Sequence, residues 1–115
     1  PEMHRRILRG ATHVVLALDG ERVIGFVTAL SDGVLSAYIP LLEVLPAYQG
    51  RGIGTALLRE LFAALGDLYM IDLQCDASMQ PFYARLGMQP MSGMALRNYA
   101  MQNGERAGSR PASGE

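Results

Sequence analysis

The sequence has no lysine, one cysteine and no apolar stretch long enough to cross a bilayer, and each shortage narrows the range of functions. A nucleotide-hydrolysing P-loop ends in Gly-Lys-Ser or Gly-Lys-Thr because the lysine reaches the outer phosphates. With no lysine anywhere in the chain, hydrolysis of ATP or GTP by that route is not expected. The lone Cys75 excludes an intramolecular disulfide and any cysteine-based zinc cluster. His4 and His13 stand apart from other ligand-type residues, so no metal site is expected. No apolar run reaches the roughly 18 residues that a membrane span requires, and no signal-peptide pattern opens the chain. A cytoplasmic protein without a membrane partner is the expectation. Charge is scarce and nearly balanced at a net −1, and the arginines are dispersed apart from Arg5, Arg6 and Arg9. Nucleic acid is therefore not an expected partner.

The 115 residues, half of them apolar, suffice for one packed core and leave little room for a separate substrate domain. The unusual chemistry lies between Glu43 and Leu65, around Gln49-Gly50-Arg51-Gly52-Ile53-Gly54. Three closely spaced glycines precede Leu57, Leu58, Leu61, Phe62 and Leu65 at helical spacing, so the glycines fall where a helix begins. The N–H groups of a helix's first turn have no internal partners, and the macrodipole adds about half a positive charge there. Glycine lets a phosphate approach those donors without an intervening Cβ, and Arg51 can add a charge-assisted bond from the rim. A phosphate-bearing ligand follows. Reading from Gly50, the dinucleotide pattern G-x-G-x-x-G fails at its third glycine, which is Thr55, although Asp72 lies at the distance that pattern expects. That leaves a nicotinamide-dependent oxidoreductase as a rival.

In chain order, Met3 to Leu8 reads as the last turns of a helix stopped by Gly10. His13 to Leu18, apolar on both faces, and Arg22 to Leu30 form a hairpin through Asp19-Gly20. Asp32-Gly33 turns the chain into a long strand, Val34 to Leu45. Pro40 in its middle cannot donate to a ladder and favours a bulge or splaying, which would free backbone groups for an extended ligand arm. A helix from Thr55 to Leu65 then crosses over to a parallel strand, Tyr69 to Gln74. A second helix capped by Ser78, with Gly87 at its end, and a last pair of short strands between Met88 and Ala100 complete the domain. Residues 1–100 read as a single domain and 101–115 as a disordered tail.

Gln49-x-x-Gly52-x-Gly54, preceded by Val44-x-Pro46 and followed by an amphipathic helix, resembles the acyl-CoA-binding motif of the GCN5-related N-acetyltransferases. Pro81-Phe82-Tyr83-Ala84-Arg85-Leu86-Gly87-Met88 is similar to that family's tyrosine-containing helix and the turn after it. The resemblance implies an α+β, three-layer fold. Its central sheet is mixed, mostly antiparallel with one parallel, splayed strand pair, and flanked by helices. It also implies that the family's first strand and first helix are missing from the chain as it stands. Acetyl-CoA is the implied cofactor, held by Leu42, Val44, Gln49, Gly50, Arg51, Gly52, Ile53, Gly54 and Thr55, with its pantetheine arm along the splayed strand. A small-molecule or peptide amine is the implied acceptor, and exposed strand edges would permit a homodimer.

Transfer of an acetyl group from a thioester to an amine needs a free lone pair, a stabilised oxyanion and a proton for the departing sulfur. Spacing alone reads Tyr83 as a half-buried helix aromatic, whereas the resemblance makes it the general acid. Glu43 is the carboxylate nearest the motif and a candidate base, or else an ordinary solvated strand residue. Tyr38 aligns better with the place where some family members keep a glutamate base, which leaves a water chain as an alternative. Backbone N–H groups near Leu42 to Val44 are the implied oxyanion donors. Cys75 reads as a buried strand thiol rather than a nucleophile, Asp76 stands where the family often has asparagine, and Met88, Met91 and Met94 read as core filler. The rival within the same fold is a CoA-binding module without turnover.

Overall fold

The computed structural model describes residues 2–104, and the expectation for residues 105–115 lies outside them. Helix α1 (Glu2–Gly10) leads into strands β1 (His13–Asp19), β2 (Arg22–Ser31) and β3 (Ser36–Val44), and helix α2 (Ile53–Leu65) crosses to β4 (Met70–Leu73). The short helix α3 (Gln80–Ala84) follows. The sheet order is β1-β2-β3-β4, antiparallel at the first two junctions and parallel at β3–β4. This is the mixed sheet with one parallel pair that the sequence implied.

The apolar spacing of α2 buries Leu57, Leu58, Leu61 and Leu65 against Val27, Ala29, Ala37 and Ile39 of the sheet. Each such side chain contributes about 1.5–3 kcal/mol on leaving water. Gly25 sets how closely helix and sheet approach, since a Cβ there would lie 3.0 Å from the Glu43 carbonyl, 3.3 Å from Val44 Cγ2 and 3.4 Å from Leu57 Cδ1. The opposite face carries α1, whose His4 ring meets Phe26 edge-on at 6.1 Å between centroids. On β1, Val15 and Ala17 pack on the core, while Val14, Leu16 and Leu18 on its other face are open to solvent.

Pro40 does what the missing N–H requires. Thr28 pairs with Leu41 and Leu30 with Tyr38, so two residues of β3, Ile39 and Pro40, stand opposite Ala29 alone. The bulge shifts the side-chain alternation by one residue. Beyond it Leu42 and Val44 join the face packed on α2, and Glu43, opposite Phe26, is turned to the α1 face. The parallel ladder to β4 ends at Ile39–Leu73, and from Pro40 to Val44 β3 is paired on the β2 side alone.

Four expectations are corrected. The long strand starts at Ser36 rather than Val34, because Asp32 Oδ1 accepts from the N–H groups of Val34, Leu35 and Ser36 at 2.8, 2.8 and 3.2 Å and curls the chain into a turn. Ser78 does not cap a helix but lies inside a 3-10 turn, Ala77–Met79, and α3 is only five residues long. No strand forms between Met88 and Asn98. Strand propensity needs a paired neighbour and a face to bury, and Met91, Met94 and Leu96 have neither, being 86%, 97% and 97% exposed. Nor are Met91 and Met94 core filler. The chain then makes a 3-10 turn, Tyr99–Met101, and the Gly104 carbonyl accepts from Arg6 Nη2 at 3.0 Å.

Two substitutions test this frame. Gly25→Ala is expected to cost about 1–3 kcal/mol in urea unfolding, since the Cβ meets backbone as well as side chains. The three N–H donors hold the Asp32 carboxyl below its ordinary value of 3.8, so its contribution is present above that pH and is lost as pH falls through the folded-state value. Asp32→Ala should therefore lower Tm at pH 7, and the gap to the unmodified chain should narrow when melting is repeated below pH 3.8.

Candidate active site

The parallel ladder stops at Leu73, where β4 ends, while β3 runs on to Val44, and the loop from Leu45 to Gly52 then leads to the start of α2. Parallel α/β arrangements place ligand sites at the carboxyl ends of their strands. A 3-10 turn, Pro46–Tyr48, ends β3 and directs the chain into the glycines. Gly50 and Gly52 have φ of +80° and +83°, a conformation that side chains with a Cβ avoid, and a Cβ built on either meets nothing within 4 Å. The first helical hydrogen bond is Ala56 N–H to the Gly52 carbonyl at 3.0 Å. Among the described residues, none of the N–H groups from Gly50 to Thr55 donates to a protein acceptor. This open row of donors at a positive helix end fits a diphosphate.

The expected cofactor residues divide by what their side chains do. Gln49 turns its amide inward, donating from Nε2 to the Val44 carbonyl at 3.0 Å and fastening the loop to the end of β3. Leu42, Val44 and Ile53 pack beneath the loop against the core, so their side chains support the site from below. Gly54 faces α3 and β3: a Cβ there would make ordinary contact with Phe82 Cζ at 3.4 Å and Leu42 Cδ2 at 4.0 Å. Thr55 stands in the first turn of α2. Arg51 lies with its guanidinium 5.1 Å from the ring centroid of Tyr48, whose hydroxyl donates to Asp19 Oδ2 at 2.6 Å. That hydrogen bond pushes the Tyr48 phenol above its ordinary pKa of 10.0. The sequence reading overlooked this link between the β1–β2 turn and the glycine loop. Its signal was an aromatic residue three positions before an arginine.

Tyr83 sits on α3 with its ring 5.0 Å from that of Phe82 in a T-shaped contact. It is half-buried against the core, and its hydroxyl has no hydrogen-bond partner among the described residues. Burial, and then the neighbouring Cys75, raise its pKa above 10.0. The phenol therefore keeps its proton through neutral and mildly alkaline pH. Cys75 itself is exposed and follows the end of β4, so it is not the buried strand thiol expected. Glu43 is a half-exposed carboxylate on the α1 face, 3.9 Å from His4 Nε2. Tyr38 and Asp72 are cross-strand neighbours in the β3–β4 ladder, away from the glycine loop. Among the described residues no group of His, Cys, Asp and Glu could hold a metal ion.

The sequence model of the Acetyltransferase (GNAT) family matches residues 2–88. The chain belongs to the GNAT acetyltransferases. A Deinococcus radiodurans R1 crystal structure assigned as an acetyltransferase superposes with a TM-score of 0.89 at 50% identity, over 93% of this chain and 76% of that one. A GNAT family acetyltransferase from Streptococcus pneumoniae TIGR4 gives 0.75 at 30% identity, over 85% and 80%. Among curated proteins, histone acetyltransferase TAP1 of Glycine max is 38% identical over 73 residues, 62% of this chain and 32% of the soybean protein. The chloroplastic GCN5-related N-acetyltransferase 2 of Arabidopsis thaliana is 38% identical over 78 residues, 62% and 30%. The chain thus spans about a third of the length of these curated relatives. GNAT membership sets aside the nicotinamide reading, whose support was Asp72 and a partial glycine pattern. No helix among the described residues is long and apolar enough to cross a membrane.

The left-handed Gly52 gives a test of the loop. Gly52→Ala forces a Cβ residue into φ near +83°, at a cost of about 1–2 kcal/mol. CoA binding by calorimetry should weaken by about 10-fold or more while the far-ultraviolet dichroism is retained.

Proposed function

We propose that the chain transfers an acetyl group from acetyl-CoA to a primary amine by direct attack. The single observation that carries the reading is the row of N–H groups from Gly50 to Thr55, without a partner among the described residues, following the segment of β3 that runs past the end of β4. When bound, acetyl-CoA supplies the acyl group as an activated thioester. Residues Gly50 to Thr55 would bind the diphosphate through their main chain, with Arg51 at the rim. The stretch from Leu42 to Val44, unpaired on the β4 side, would receive the extended arm and offer N–H groups to the acyl oxygen.

Tyr83 holds a proton at its hydroxyl for the sulfur, and the raised pKa keeps that proton in place at working pH. An ammonium with a pKa near 10.4 must lose a proton at a cost of roughly 4–5 kcal/mol at neutral pH. Glu43 would accept it. In support, the bulge at Pro40 turns this half-exposed carboxylate to the α1 face, away from α2, where an acceptor would approach. Either a small-molecule or a peptide amine fits this reading. The soybean relative is named for histones, a peptide-borne amine, but only a third of that protein corresponds to this chain.

The test is a single-turnover assay with acetyl-CoA against spermidine, an aminoglycoside and a lysine-containing peptide. Acetylation of at least one is expected. CoA binding without transfer to any amine would instead support a non-catalytic CoA-binding module. Tyr83→Phe should lower kcat by about 10²–10⁴ with the CoA affinity retained, and unchanged turnover would remove Tyr83 from the mechanism.

A further inference from the structure

His4 lies on α1 and Glu43 on β3, far apart in sequence, yet the docking of α1 over β2 sets them 3.9 Å apart from Nε2 to Oε1. Phe26 explains the placement: it stands directly opposite Glu43 in the β2–β3 ladder and receives the His4 ring edge-on, at an interplanar angle of 87°. The cations nearest in sequence are engaged elsewhere. Arg5 pairs with Glu2 at 3.8 Å, and Arg6 donates to the Gly104 carbonyl at 3.0 Å. Among the described residues, His4 is the one basic side chain beside Glu43.

The second observation is the other ring nitrogen. His4 Nδ1 is buried and has no hydrogen-bond partner. A buried N–H without an acceptor is costlier than a bare lone pair, and a carboxylate beside Nε2 attracts a proton there. Both effects place the single N–H of the neutral ring on Nε2, directed at Glu43. A half-exposed glutamate otherwise samples several rotamers, and one oriented donor selects among them at the entropic cost of the histidine alone.

We propose that His4 is a positioning residue: its Nε2–H, 3.9 Å from Glu43 Oε1 and beyond hydrogen-bond reach as the side chains stand, closes on that oxygen when the acceptor binds and leaves the other aimed across the α1 face at the amine. The inference rests on the reading of Glu43 as the proton acceptor. In the productive step the amine N–H bond breaks as the carboxylate O–H bond forms, and His4 retains its own proton throughout.

The experiment combines kinetics on the panel amine that turns over fastest with imidazole 15N spectra at about pH 8, where an ordinary imidazole is neutral. Two histidines, His4 and His13, make the assignment direct. His4→Leu should lower kcat by roughly 10-fold, the effect of one lost orienting contact to a charge, with KM for acetyl-CoA unchanged. His4→Gln, which can place an amide N–H near the same spot, should restore most of the loss and guards against a folding effect. In a Glu43→Gln background, His4→Leu should have no further effect. The spectra should show His4 as the Nε2–H tautomer, with the balance shifting in Glu43→Gln. Full turnover by His4→Leu beside a slowed Glu43→Gln overturns the role of His4 alone. Full turnover by Glu43→Gln removes Glu43 as proton acceptor and the positioning role with it. An Nδ1–H tautomer, or one indifferent to Glu43→Gln, overturns the proposal without reference to turnover.

Discussion

The site depends on one missing hydrogen-bond donor. Pro40 cannot supply an N–H to the ladder, so β3 bulges against β2, and its pairing with β4 ends one residue earlier, at Ile39–Leu73. Two consequences follow from the same defect. Past Ile39 the main chain of β3 has no ladder partner on the β4 side. The alternation of side chains also shifts, which places Leu42 and Val44 under the glycine loop and turns Glu43 to the other face. A regular strand would have offered neither that unpaired stretch nor that division of faces.

The glycine loop carries a related cost. Six successive N–H groups without a hydrogen-bond partner among the described residues are unfavourable unless water or an anion satisfies them, and the left-handed glycines keep Cβ atoms away from them. Contacts around the loop hold it in this state. Gln49 fastens its start to Val44, Phe82 lies beside Gly54 in the first turn of α2, and Tyr48 bridges Arg51 and Asp19 at the rim. Phe82 also carries Tyr83 beside it, so the packing that supports the phosphate loop helps position the phenol.

Local signals were legible where local physics decides the outcome. The periodicity of Leu57, Leu58, Leu61 and Leu65 marked α2, Asp19-Gly20 marked the first hairpin, and Pro40 marked the bulge. The reading failed where an outcome needed a neighbour from elsewhere. The segment from Met88 to Asn98 has apolar residues at strand-like intervals, but no strand lies beside it among the described residues. Asp32 looked like part of a two-residue turn signal, whereas its carboxylate captures three N–H groups and delays β3.

The sequence by itself determined that a helix would begin on closely spaced glycines, that the preceding strand would break at its proline, and that GNAT chemistry was the resemblance to test. These follow from φ preferences, a missing donor and side-chain period, all properties of a few adjacent residues. Only the tertiary structure decided that Arg51 would lie over Tyr48, that Gln49 would turn to Val44, and that His4 would meet Glu43. Side-chain partners are set by how elements pack, and the packing of α1 on β2 joins residues that no spacing along the chain connects.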